Sequence, residues 1–285
     1  MREPTDCVAE ILKTGQGVIA QLHTKYLEGQ SDPMSVAERV LAAITTSVPG
    51  QAPTGAMVEW KAEVLRADAQ AAKARFAAGK PLSLLDGIPV AYKDEVDVAG
   101  FRTRVGTTFI GREAVDADAT SVGCMRAAGA MTLGKAAMHE IGCGVTGINL
   151  HTGTPVHPHR AGHMPGGSSS GSAVAVASGL CPVALGADGG GSIRIPAALC
   201  GVVGLKPTYG RVSEHGAYPL CWSVGHLGPL AASVADCAIA YALMAGPDPA
   251  YPHGVDQPAV HLDGVAAALA GGGLEGTRIG VFRPW

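Results

Sequence analysis

The chain has 285 residues, of which 47% are hydrophobic and 16% charged, a composition typical of globular proteins rather than disordered ones. Its net charge of −3 comes without a long run of Lys or Arg, which argues against nucleic acid as a substrate. The seven cysteines form no C-x-x-C pair and lie mostly among small apolar residues. They therefore predict free thiols in a reducing, cytoplasmic compartment.

Residues 1–80 predict a helical segment that packs on a following core. Ser35-Val36-Ala37-Glu38 matches a capping box ahead of an apolar stretch. A second helix is predicted over residues 58–78, where apolar residues recur at helical spacing, and Gly79-Lys80-Pro81 ends it. The N-terminus lacks the apolar stretch of a signal peptide, and the most apolar window, residues 173–187, is too short to span a bilayer.

From residue 85 onward, short apolar runs alternate with helical patterns. Strands are predicted at residues 88–91, 130–133, 183–185 and 202–205, and helices at residues 118–128, 168–178 and 233–245. The alternation predicts an α/β fold with a mixed, mostly parallel β-sheet covered by helices on both faces, and it assigns residues 81–285 to this core.

The last forty residues differ from the core pattern. Residues 246–273 are rich in Pro, Gly and Ala and predict a surface excursion with one short helix. Residues 277–282 predict another buried strand. Because domains rarely end on a new strand, we expect the core to be incomplete at its C-terminus.

Two glycine–serine segments predict serine chemistry: Gly166-Gly167-Ser168 and Gly189-Gly190-Gly191-Ser192. A serine nucleophile needs a base in contact and donors for an oxyanion. Without Cβ atoms, the three glycines let the amides of residues 189–192 converge on one oxygen. No Asp or His is placed for an ordinary triad. Lys93 ends an apolar run and can act as the base if burial favours its neutral amine.

Each of these features also has an ordinary interpretation. A Gly-Gly-Ser segment is usually a loop, and Lys93 followed by Asp94 is usually a solvated ion pair. Ser169, Ser170 and Ser172 can simply cap the helix that follows them. The order and spacing of all the features together favour a catalytic site.

Residues 166–210 resemble the signature sequence of the amidase signature family: GGSSSGSAVAVASGLCPVALGADGGGSIRIPAALCGVVGLKPTYG. The resemblance continues in residues 85–94, 134–140 and 228–231, and it covers roughly residues 55–285. It implies the amidase signature fold, with Lys93 as the base and Ser192 as the nucleophile. Ser168 is then the bridging serine, joined to Gly167 by a cis peptide bond.

The resemblance also implies supporting roles. The amides of Gly189, Gly190, Gly191 and Ser192 are expected to form an oxyanion hole. Support of the site is expected from four residues: Ser169, Ser170, Asp188 and Arg194. Substrate contacts are expected from Gly142, Cys143 and Gly144, and the family requires neither a cofactor nor a metal.

The expected function is hydrolysis of a linear carboxamide or N-acyl amide through an acyl-enzyme on serine. Residues 138–142 and 189–196 look most like the plant-type fatty-acid amide hydrolase branch. Two alternatives stay within the family: a carbamate or urea-type hydrolase, and the glutaminase subunit of a tRNA-dependent amidotransferase. A third alternative is a non-catalytic binding protein that retains the signature. The expected partners are a small-molecule amide and a second copy in a homodimer.

Four histidines between the two halves of the site raise the question of a metal: His151, His157, His159 and His163. Zinc sites usually add Cys or carboxylate ligands, and neither type flanks these histidines. We therefore predict no metal site there and interpret the segment as a polar loop.

Overall fold

The computed structural model describes residues 4–45, 54–271, 276–278 and 280–281. Within these ranges the helices are α1 Pro4–Thr14, α2 Val18–Leu27, α3 Pro33–Thr45, α4 Ala62–Ala77, α5 Thr120–Ala127, α6 Ser170–Ala177, α7 Arg194–Cys200, α8 Val234–Met244 and α9 Leu262–Ala270. The strands are β1 Met57–Glu59, β2 Pro89–Lys93, β3 Met131–Ala136, β4 Val183–Ala187, β5 Val203–Gly204 and β6 Leu227–Ala231. No helix in this part of the chain has the length and hydropathy needed to cross a membrane.

The strands form one sheet in the order β1-β3-β2-β4-β6-β5. Strand β2 pairs in parallel with both β3 and β4, and the other three pairings are antiparallel. The predicted mixed α/β sheet is confirmed, but its parallel part is limited to the three central strands. Strand β6 was not predicted, because Gly228 and Pro229 are residue types that strands usually exclude.

The central strands are buried along their whole length. Every residue of β2, β3, β4 and β6 is buried. Because successive strand residues point to opposite faces, both faces of the sheet must be covered. Helix α6 packs on the central strands, and α8 packs on β4, β5 and β6.

The N-terminal elements differ from the sequence prediction in two places. Helix α3 begins at Pro33, and its first turn is capped by Asp32, which accepts hydrogen bonds from the amides of Met34 and Ser35. The capping box predicted to start at Ser35 therefore does not form. The helix predicted over residues 58–78 begins only at Ala62, because residues 57–59 form the edge strand β1.

The segment 1–80 thus supplies an edge strand as well as helices. Its buried side chains belong to the same hydrophobic core as those of the sheet. The division of the chain at residue 80 remains a proposal.

The C-terminal excursion carries the predicted short helix, α9. This helix packs against α1 and α8, so it covers the body of the protein. The strand predicted over residues 277–282 includes residues 279 and 282, which lie outside the described residues.

Candidate active site

Strand β2 delivers Lys93 into the interior, where only 1% of the residue is exposed. Its Nζ lies 2.7 Å from the Ser168 hydroxyl and 3.5 Å from the carbonyl oxygen of Ala187. Ser168 is equally buried. The Gly167–Ser168 peptide bond is cis, which confirms that expectation. The structure thus brings together two of the three residues predicted to be catalytic.

Lys93 has an ionic partner that the sequence analysis missed. Glu95 Oε2 lies 2.9 Å from Lys93 Nζ, and both side chains are buried. Strand β2 ends at Lys93, and a turn follows in which the Val96 amide donates to the Lys93 carbonyl at 3.0 Å. This turn brings Glu95 back to Lys93, whereas the Asp94 carboxylate binds a different loop.

Asp94 organises a loop on the other side of the strand. Its carboxylate accepts hydrogen bonds from the backbone amides of Arg104 and Gly106 at 3.3 and 3.1 Å. Burial raises its pKa, and the nearby Lys135 opposes that effect. Lys93 and Asp94 therefore do not form the solvated ion pair considered from the sequence.

The turn that presents Ser192 is built around Asp188. The Asp188 carboxylate accepts hydrogen bonds from the amides of Gly191 and Ile193 at 2.6 and 3.1 Å. Arg194 Nε and Nη2 bind the same carboxylate at 3.0 and 2.8 Å. Burial works against the charge, but the guanidinium and the backbone N–H groups outweigh it and lower the pKa of Asp188 to about 2. These contacts match the supporting role expected of Asp188 and Arg194.

The amide of Gly191 has a different role from the one expected. Its N–H donates a hydrogen bond to the Asp188 carboxylate, so it is not available to a substrate oxygen. The turn needs this bond, and it needs glycine because Gly191 has a φ of 127°. Gly189, Gly190 and Ser192 border an open cavity, and their amides make no hydrogen bond within the described chain.

Ser192 lies beside the Lys93–Ser168 pair. Its carbonyl accepts a hydrogen bond from the amide of Ser169 at 3.1 Å, which joins the two glycine–serine segments. Among the residues that the structure describes, no hydrogen bond links the hydroxyls of Ser168 and Ser192. Both residues border the same cavity.

The serines that follow Ser168 hold helix α6 against the sheet. The hydroxyls of Ser169, Ser170 and Ser172 donate to the carbonyls of Ala187, Ala137 and Leu185 at 3.1, 3.4 and 3.0 Å. Ser169 occupies the N-cap position, but its side chain makes no capping bond. The interpretation of these serines as helix caps is therefore wrong, because their hydroxyls bind backbone carbonyls in and beside the neighbouring strands instead.

The cavity has a volume of about 570 Å³. Gly142, Cys143 and Gly144 border it, as the resemblance implied. A Cβ at Gly144 would collide with the ring of His139, so a larger residue there would require that ring to move. Sequence reasoning missed five other residues of the wall: Glu95, Glu214, Tyr218, Trp222 and Tyr251. Most of them come from residues 214–251, for which the sequence analysis quoted only a short family match.

A second lysine, Lys135 on β3, is also fully buried. Its Nζ donates to the carbonyl of Val96 and to Thr103 Oγ1, and burial lowers its pKa to about 8. Lys135 does not border the cavity. Contact with Ser168 therefore distinguishes Lys93 as the candidate base.

Two of the four clustered histidines bind the end of helix α7. His157 Nε2 lies 2.9 Å from the carbonyl of Leu199, and His159 Nε2 lies 3.1 Å from that of Cys200. Ring N–H groups thus satisfy carbonyls that a helix end leaves unpaired. Within the described ranges, no three His, Cys, Asp or Glu residues are grouped so that they could hold a metal ion.

Comparison with known proteins agrees with this geometry. The family model described as Amidase matches residues 39–284. The fatty acid amide hydrolase of Oryza sativa subsp. indica is 44% identical over 225 residues, which are 79% of this chain and 37% of that protein. The 1-carboxybiuret hydrolase subunit AtzE of Pseudomonas sp. (strain ADP) is 44% identical over 225 residues, 78% of this chain and 48% of that protein.

A solved structure extends the likeness to the fold. The native peptide amidase from Stenotrophomonas maltophilia superposes with a TM-score of 0.81 at 34% identity, covering 88% of this chain and 52% of that one. The chain therefore spans between about a third and a half of the length of these relatives. With the family model matched over most of its length, the chain belongs to the amidase family.

Proposed function

We propose that this chain hydrolyses an amide bond through an acyl-enzyme on Ser192. The observation that supports the proposal most is the buried contact between Lys93 and Ser168 beside the cavity that Ser192 borders. A buried lysine in contact with one serine, close to a second serine at a glycine turn, fits an activated nucleophile. The non-catalytic alternative does not account for this arrangement.

The mechanism begins with neutral Lys93, which accepts the proton of Ser168 while Ser168 accepts the proton of Ser192. Ser192 Oγ then attacks the carbonyl carbon of the substrate. Ser168 returns a proton to the leaving amine, and a water molecule activated by the same route releases the acid. Glu95 stabilises the ammonium that forms on Lys93 during these transfers.

The oxyanion donors in this mechanism are the amides of Gly189, Gly190 and Ser192. Gly191 contributes indirectly, because its bond to Asp188 sets the turn. Gly142, Cys143 and Gly144 are proposed to contact the substrate next to the scissile bond.

The proposed substrate is a linear carboxamide or N-acyl amide. The relatives named fatty acid amide hydrolase and peptide amidase support that class. The 44% identity to a carboxybiuret hydrolase subunit favours a urea-type hydrolase as the second candidate. A panel of amides, ureas, carbamates and esters, assayed for release of the amine or, from the esters, of the alcohol, separates the two.

Covalent labelling tests the nucleophile. A fluorophosphonate probe is expected to modify Ser192 and no other serine, as read by peptide mass spectrometry. Ser192→Ala is expected to lose labelling and turnover but to keep substrate binding. Labelling of Ser168 instead would reverse the two serine assignments. A chain that the probe does not label at any serine would contradict the acyl-enzyme mechanism.

A cytoplasmic location and a homodimer are further proposals from the sequence. Light scattering of the purified chain tests the second, with a monomer mass as the contrary result.

A further inference from the structure

The acidic side chains of the cavity wall differ in whether they have a basic partner. Glu95 is paired with Lys93, and Asp188 is paired with Arg194. Glu214 also borders the cavity, but it makes no ion pair with any residue that the structure describes. The wall therefore includes one carboxyl group without a basic partner.

Strand-like pairing brings Glu214 near Glu95, the ionic partner of Lys93. The segment after β2 pairs with residues 216–218. The amide of Asp97 donates to the carbonyl of Gly216 at 2.9 Å, and the amide of Tyr218 donates to the carbonyl of Glu95 at 2.7 Å. A turn closed by the Ala217 amide on the Glu214 carbonyl then carries Glu214 back toward Glu95. Burial, together with the charge of Glu95, raises the pKa of Glu214 to about 7.

A phenol, not a basic group, lies beside this carboxyl group. Tyr251 is 8% exposed and borders the same cavity. Its hydroxyl lies next to the side chains of Glu214 and Tyr209. The neighbour of Glu214 at the cavity wall is therefore uncharged.

Aromatic rings also border the cavity. Tyr218 is 38% exposed and Trp222 is 75% exposed, and both line it together with Tyr251. The face of a Trp or Tyr ring attracts a cation. A cavity lined by these rings and by a carboxyl group without a basic partner complements a positive charge and disfavours a negative one.

We propose that the amide substrate carries a cationic group, an ammonium or guanidinium, that binds between Glu214 and the rings of Tyr218, Trp222 and Tyr251. This inference rests on the proposed function only in treating the cavity as the substrate site. It narrows the substrate class from amides in general to amides with a positive charge.

Two substrates that differ only in charge test the inference: an amide ending in a trimethylammonium group and its isostere ending in tert-butyl. Neither group titrates, so pH alters the protein alone. At pH 8.5, where Glu214 is ionised, we expect kcat/KM to favour the cationic amide by about tenfold or more, chiefly through KM. Glu214→Gln should abolish that preference, so that the ratio of kcat/KM for the two amides falls to about one. The matched control is Glu140→Gln, which removes a charge outside the cavity and should keep the preference.

Binding to Ser192→Ala protein makes the result independent of turnover. By calorimetry, the cationic amide should bind more tightly than its isostere, and adding Glu214→Gln should equalise the two. Equal affinities in the Ser192→Ala protein, or a preference that survives Glu214→Gln, would overturn the inference. Tighter binding of the cationic amide without any hydrolysis by the unmodified chain would retain the inference and reject the proposed function.

Discussion

At the scale of single residues, the decisive contacts are those of Lys93. It touches Ser168 on one side and Glu95 on the other, and all three are nine-tenths or more buried. In the proposed mechanism Lys93 accepts a proton from Ser168, and the Glu95 carboxylate stabilises the ammonium that forms. Glu95 is therefore proposed to act through Lys93 and not on the substrate directly.

Replacing Lys93 tests the base directly. Lys93→Ala is expected to lower kcat on amides by at least about 10²-fold, because no other group in contact with Ser168 accepts its proton. Initial rates across pH 6–10 measure this loss. Lys80→Ala, a change at an exposed lysine, serves as the control and should retain normal rates. Near-native rates for Lys93→Ala would reject the serine–serine–lysine mechanism.

Replacing Glu95 tests the ion pair. Glu95→Gln removes the carboxylate that lies 2.9 Å from Lys93 Nζ. The variant is expected to have a lower kcat on amides, because the ammonium formed during proton transfer loses its partner. Initial rates of the variant and of the unmodified chain measure the loss. Equal rates would mean that the ion pair has only a structural role.

At the scale of elements, the turn between β4 and α7 positions Ser192, the proposed nucleophile. Asp188 is fully buried and binds backbone amides of the turn together with the Arg194 guanidinium. Its pKa of about 2 keeps it ionised at any working pH. Hydrogen bonds to a buried charge contribute more than neutral ones, so the geometry of residues 188–194 depends on this side chain.

Asp188→Asn is therefore expected to lower both stability and activity. An amide accepts fewer hydrogen bonds than a carboxylate and leaves Arg194 without its counter-ion. We expect a loss of about 2–3 kcal/mol in the free energy of unfolding, measured by urea denaturation. Asp116→Asn, at an exposed aspartate, should cost almost nothing. Equal stabilities of the two variants would show that the turn does not depend on the Asp188 charge.

At the scale of the whole molecule, buried acids link stability to pH. Glu214 has a pKa of about 7 against an ordinary value of 4.5, so the folded state binds the proton more tightly than the unfolded state. Between these two values the folded chain holds more protons, and raising the pH therefore lowers the free energy of unfolding. Above pH 7 Glu214 is ionised in both states, and its destabilising effect on the folded state no longer increases.

Glu214→Gln should remove that destabilising effect. Relative to the unmodified chain, the variant is expected to gain about 1–3 kcal/mol at pH 8, with little gain at pH 4. The residual exposure of Glu214 favours the lower end of that range. Urea denaturation at the two pH values measures the difference, and Glu113→Gln, at an exposed glutamate, is the control. A gain of equal size at both pH values would contradict the assignment to ionisation.

Local sequence patterns were sufficient for the central strands and for the positions of Lys93, Ser168 and Ser192. Continuous apolar runs mark buried strands, and glycine–serine segments mark tight turns at their ends. Strand β1 and strand β6 escaped prediction: one is three residues long, and the other contains Gly and Pro. Their pairing with distant strands outweighs weak local preference.

Only the tertiary structure decided which groups meet. Asp94 and Glu95 are both carboxylic acids and neighbours in sequence, yet the turn that follows β2 directs Glu95 to Lys93 and Asp94 to the loop beyond. Glu214 reaches the same cavity through pairing across more than a hundred residues. The Gly191 amide serves Asp188 because the turn closes on that carboxylate. Residue types and spacing thus determined the kind of chemistry, whereas side-chain direction and long-range pairing determined the partners and charges around it.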